Sequence, residues 1–198
     1  MKIIISIFSL IGLALNIYLA YTYLKLWTHP QVNDIEIIYS LSVLVFFEFI
    51  LVHSGVFMSY LGRSWKSWLL IIFFYGVFAL AFNAMVSDNQ ILILYCAVVL
   101  NRMLPKIFNR EKPDMKEELS ISAIYAVVYF ALIMIMIFAS DLIPQFGLTK
   151  EFLEAARFDD IVKGEGFMDD MPHAIMCFGV VYYVILALFD IFYIKGKF

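Results

Sequence analysis

LSISAIYAVVYFALIMIMIFAS, residues 119–140, carries no charge from end to end. A helix needs about 20 mostly apolar residues to cross a bilayer, so the stretch reads as a membrane span. The same pattern recurs along the chain. Residues 3–24, 67–87 and 171–189 are also free of charge, residues 37–62 are interrupted only by Glu48, and residues 89–105 only by Arg102. Charged hinges separate the six runs. The expected fold is all-α: a polytopic integral membrane bundle of six transmembrane helices in one domain, with spans near 3–24, 36–61, 68–86, 89–108, 119–142 and 173–194.

Composition agrees with hydrocarbon as the main solvent. The chain has 198 residues and is 64% hydrophobic, and its mean hydropathy is +0.89. Soluble domains hold roughly half apolar residues. The five prolines, Pro30, Pro105, Pro113, Pro144 and Pro172, all fall in loops or near span ends. No span has the broken centre from which many secondary transporters build a midplane site. An inverted repeat is not visible either. The second span carries Glu48 and His53, and the fifth has no acid, base or histidine before Asp141.

The net charge of −3 hides a separation of charge across the membrane. Of the 14 lysines and arginines, ten lie on the side holding both termini: Lys2, Arg63, Lys66, Arg102, Lys106, Arg110, Lys112, Lys116, Lys195 and Lys197. Lys25, Lys150, Arg157 and Lys163 face the other way. The positive-inside rule then places both termini in the cytoplasm. The first run is read as a retained span, since it is long for a signal peptide and no A-x-A site follows it. The usage rich in Ile, Phe and Lys suits a bacterial cytoplasmic (inner) membrane. Trp27, Tyr21 and Tyr23 are expected in an outer aromatic belt, with Trp65 and Trp68 at the inner turn.

The outer loop, residues 144–172, is acidic and reads as an ordinary exported loop. Within it Thr149 is expected to cap a short helix running to Lys163, with Glu151 in its first turn and Gly164 ending it. The helix would lie on the membrane surface or cap the bundle.

Ionisable groups at bilayer depth are costly and face the bundle interior. Counting 1.5 Å per residue puts Asn16 and Glu48 ~20 Å from the inner boundary and Asn83 ~22 Å. Each sits on a stripe of small residues: Ser9, Gly12, Asn16 and Ala20 in the first span, Glu48, Gly55, Ser59 and Gly62 in the second, Gly76, Ala79 and Asn83 in the third. Small residues let backbones approach so that polar side chains bond across the contact. The first three helices are therefore expected to pack through these stripes, with Glu48 bonded by Asn16 or Asn83. A structural clasp is the favoured role. The competing role is a carboxylate on a proton or cation path, against which stands the lack of a second acid at that depth.

Nearer the cytoplasm, His53, Arg102 and Asp190 form an inner polar layer at ~12, ~9 and ~6 Å from the boundary. Arg102 and Asp190 are within reach of snorkelling. On the outer side His173, Met176 and Cys177 share one helical face next to Met168 and Met171. Imidazole, thioether and thiol ligands suit Cu(I). With 10 methionines in the chain, apolar filling is the preferred explanation, and no cofactor is expected. Cys96 and Cys177 form no C-x-x-C pair.

Several activities lack their motifs. There is no H-E-x-x-H, no G-x-S-x-G, no phosphate-binding loop and no potassium-filter sequence. His53 lies far from His29 and His173, which disfavours a bis-histidine haem. The reading is a non-enzymatic accessory or complex subunit, with lipid and protein subunits or further copies as partners and no nucleic acid. The alternative is a permease or channel moving protons or cations past Glu48.

Overall fold

The computed structural model describes residues 2–61, 65–86, 89, 91–93, 96, 115–162 and 171–195. Every regular element among them is helical, with no strand. In chain order these are α1 (Lys2–Thr28), a 3-10 turn (Val32–Asp34), α2 (Ile35–Leu61), α3 (Trp65–Asn83), α4 (Met115–Ala139), a second 3-10 turn (Ser140–Leu142), α5 (Lys150–Ala155), α6 (Phe158–Ile161) and α7 (Pro172–Lys195). Three stretches are long and apolar enough to cross a membrane: Ser9–Thr28, Leu119–Leu142 and Pro172–Phe192. The chain is thus all-helical with at least these three membrane-crossing candidates. The fourth expected span, 89–108, lies largely outside the described residues.

Contacts divide the chain into two units, residues 1–42 with 133–198 and residues 43–132. The first is built on α1 against α7. Asn16 bonds Asp190, and Tyr23 packs against Tyr183 with ring centroids 5.6 Å apart and the rings tilted by 31°. Seven residues forward in α1 match seven back in α7, so the helices run antiparallel. The notch that lets them close is Gly179, where a Cβ would overlap the Tyr23 ring. Without that Cβ, the ring lies against bare backbone, and Tyr23 is fully buried.

α1 stops where its sequence can no longer continue it. Pro30 lacks an N–H and disfavours helical backbone at His29. The chain after α4 then closes the open end, because the Gly147 N–H donates to the Trp27 carbonyl at 3.1 Å. The indole N–H of Trp27 in turn donates to the Pro144 carbonyl at 2.9 Å. Phe146, between these two bonds, is held at φ 46°. The left-handed region costs a bulky residue on the order of 1–3 kcal/mol, and the bonds on either side hold it there.

The short outer helix begins as expected, with the Phe152 N–H donating to Thr149 Oγ1 at 3.3 Å. It does not continue to Lys163. α5 ends at Ala155, Arg157 turns left-handed at φ 55°, and α6 restarts at Phe158. Ala156 and Phe158 are both buried. Two residues apart on one continuous helix they would point about 200° away from each other, and the break turns both inward.

The second unit holds the inner part of α2 with α3 and the first part of α4. Tyr129 crosses from α4 to donate to the Val45 carbonyl at 2.6 Å, and Phe47 packs on Phe82 with centroids 5.9 Å apart. Residues 38–45 of α2 are all buried.

Candidate functional site

The polar residues within the long apolar helices are the candidate site, and the partners of Asn16 and Asn83 differ from those expected. The side-chain amide of Asn16 donates to Asp190 Oδ2 at 2.8 Å. Residue counting had put these two about 14 Å apart in depth, Asn16 with Glu48 and Asp190 with the inner layer. The α1–α7 register removes that gap. α1 is 27 residues long, about 40 Å, against a hydrocarbon core of ~30 Å. Apolarity therefore does not fix where along α1 the membrane lies, whereas its bonds to α7 fix the two helices against each other.

The small-residue stripe of α1, expected to pack on the second and third spans, carries a face that meets α7. α1 lies along α7, and the face of Asn16 and Ala20 continues into Tyr23 and Trp27. Tyr23 is accordingly no belt residue. Its hydroxyl donates to the Leu41 carbonyl at 2.8 Å, while Tyr21 stays exposed.

Asn83 makes local bonds. Its Nδ2 donates to Asn89 Oδ1 at 3.1 Å, and its Oδ1 accepts from the Leu92 N–H at 3.3 Å. Glu48 is buried in α2 and interacts electrostatically with the Tyr129 phenol. Phe49, its neighbour in α2, packs against the Tyr129 ring at 5.8 Å. His53 Nδ1 pairs with the Phe49 carbonyl at 2.7 Å, one turn back on its own helix. Arg102 lies outside the described residues, as do Gly62 and Met168.

Tyr129 was not singled out in the sequence, and neither were Tyr182 and Tyr183. Three tyrosines and a phenylalanine form one series of rings, with centroids 5.6 Å apart for Tyr23 and Tyr183, 5.2 Å for Tyr183 and Tyr182, and 5.5 Å for Tyr182 and Phe178. The available signal was spacing. Asn16, Ala20, Tyr23 and Trp27 follow one another by four, three and four residues, which is one helical face.

At the start of α7, His173 and Met176 are buried in its first turns and Cys177 is a half-buried free thiol. Among the described residues no three His, Cys, Asp or Glu side chains are grouped to hold a metal ion. Further out, Glu151 opens α5. Its own backbone N–H, then the Thr149 hydroxyl, hold its carboxyl below the usual range. No described side-chain N or O atom that is buried lacks a hydrogen-bond partner. Comparison with protein-family models, with curated proteins and with solved structures returned no match.

Proposed function

We propose that this chain is a six-span protein of the bacterial cytoplasmic membrane, with both termini inside, that serves as a non-enzymatic accessory or complex subunit. Its intramembrane polar residues fasten helices together. The observation that carries this reading is where their bonds end. Asn16 goes to Asp190, Tyr23 to the Leu41 carbonyl and Tyr129 to the Val45 carbonyl. In hydrocarbon, interhelical bonds of this kind contribute about 0.6 to 2 kcal/mol each. They also fix register, which apolar surfaces alone leave free to slide. On this reading Glu48 is one more fastening, no resident metal is required, and Cu(I) at His173, Met176 and Cys177 is the lesser proposal for the outer end.

A second reading, a permease or channel carrying protons or cations past Glu48, is favoured by the acids themselves. Glu48 is buried within an apolar helix. Asp190 also moves inward: with Trp27 at the outer interface, Asn16 and its partner sit ~16 Å below it, near the middle of a ~30 Å core. The objection that no second acid lies at the depth of Glu48 is weakened by that placement.

Glu48→Gln separates the two. For a fastening, the variant keeps its thermal stability in detergent while Glu48→Leu loses some, and proteoliposomes pass no protons or monovalent cations. For a permease, the wild type shows flux and Glu48→Gln abolishes it with the fold intact.

A further inference from the structure

Two of the most exposed apolar side chains of the first unit lie four residues apart, Phe138 at 84% and Leu142 at 85%, and Phe146 at 55% follows four residues later. Phe138 follows Ile135, itself exposed, on the face of α4 that belongs to a membrane-crossing stretch. Leu142 carries the same face one turn further, into the 3-10 turn Ser140–Leu142. α4 has ended by then, yet the apolar exposure continues. Phe146 is turned outward by its left-handed backbone and rests its ring edge-on against Trp27, at 4.8 Å between centroids.

We propose that residues 142–146 are an interfacial anchor: they lie in the outer leaflet, with Leu142 and Phe146 among the upper acyl chains, and are not part of the water-exposed loop. This rests on the membrane reading above and adds a bound partner, phospholipid, to a segment outside the spans. Three observations carry it. The exposed face is continuous with the lipid-facing side of α4. Trp27, a residue type that concentrates at the membrane interface, forms the inner wall of the segment and spends its N–H on the Pro144 carbonyl. Among the described residues that flank it, Asp141, Glu151, Glu154, Asp159 and Asp160 are exposed against the exposed bases Lys150 and Arg157, so the balance is acidic and disfavours anionic headgroups. The lipid it fits is therefore zwitterionic.

Nitroxide labels placed singly at residues 135, 142, 146 and 154 test this, in full-length protein with Cys96 and Cys177 replaced by alanine, reconstituted in phosphatidylcholine vesicles. Collision with oxygen against a water-soluble nickel chelate reports depth. The expected result is an oxygen-to-nickel ratio at Leu142→Cys close to that at Ile135→Cys and several-fold above that at Glu154→Cys, with Phe146→Cys agreeing. Nickel access at 142 equal to that at 154, while 135 stays inaccessible to nickel, overturns the anchor and leaves the membrane reading standing. Nickel access at 135 overturns the membrane reading itself. Exclusion of both reagents at 142 means that protein covers the segment, which also overturns the anchor. Leu142 makes the decision because its side chain is nearly free of the fold, so a folding defect at Phe146→Cys does not obscure the answer. Vesicles of anionic phosphatidylglycerol are expected to lower the ratio at 142 but not at 135, and a rise there overturns the zwitterionic preference.

Discussion

α7 and α3 are both strongly apolar helices, yet they are used in opposite ways. α7 is buried around nearly its whole circumference from Pro172 to Phe178 and continues inward through Tyr182, Tyr183 and Ala187. Among the described side chains of α3, only Tyr75 and Ala79 are buried, while Leu69, Leu70, Phe73, Phe74, Val77 and Leu80 are exposed. Hydrophobicity does not separate them. Lipid tails are as apolar as leucine, so association in a bilayer depends on close fit and on bonds between helices. α7 has both, in the Gly179 notch and in Asp190. α3 shows one narrow strip of contact.

That contrast predicts where substitution hurts. Gly179→Leu should have the largest effect, because the added side chain enters the volume of the Tyr23 ring. Overpacking a fitted contact costs about 1–3 kcal/mol or more. The matching change on α3, Val77→Leu, should stay within about 0.5 kcal/mol, as exposed positions do. Thermal unfolding in one detergent compares them directly, and equal midpoints would break the contrast.

A smaller effect sharpens it. Tyr23→Phe and Tyr129→Phe each delete one hydroxyl that reaches a backbone carbonyl of α2, at 2.8 and 2.6 Å. Each should cost about 0.6 to 1.7 kcal/mol, since the carbonyl keeps its place in the helix ladder. The same unfolding measurement serves. If only Tyr23→Phe destabilises, bonding to α2 matters in the first unit alone.

The smallest effect is local and outside the membrane. Thr149→Ala should fray α5, at a typical cost of about 1 kcal/mol for a lost cap. Glu151 supplies a pH signature there. Its carboxyl is lowered in the folded state, so its contribution is complete above the ordinary carboxylate range and is lost as the pH falls through the lowered value. Hydrogen exchange at Phe152 and Leu153 should accelerate with acid relative to the α7 amides, and Glu151→Gln should flatten that response.

The sequence made the element types and many boundaries readable, because uncharged runs have few alternatives. Residues 36–61 were expected as a span, and a helix, α2, occupies Ile35–Leu61. The stretch 119–142 was expected as a span and Leu119–Leu142 is long and apolar enough to be one. Thr149 was expected as a cap and is one. Partners were less readable. Asn16 carries no mark saying which helix it faces, and counting residues from an assumed boundary assigned it the wrong company. A slide of nine residues between two mostly apolar helices changes nothing that composition can detect, but it decides whether Asp190 snorkels or bonds. Arg157 was hidden for a related reason: the helix breaks there to bury Ala156 and Phe158 together, a demand set by the surroundings of the helix.

The pairing of α1 with α7 has a consequence for biosynthesis. α1 closes on α7, and 143 residues of chain separate Thr28 from Pro172. At about 5–20 residues per second, the ribosome takes roughly 7–30 s to deliver that partner. Throughout that interval Asn16 and the empty side of Tyr23 wait in the translocon or the lipid with their final contacts still unmade. A chain truncated before residue 172 should thus be recognisable to quality-control proteases by its unclosed α1.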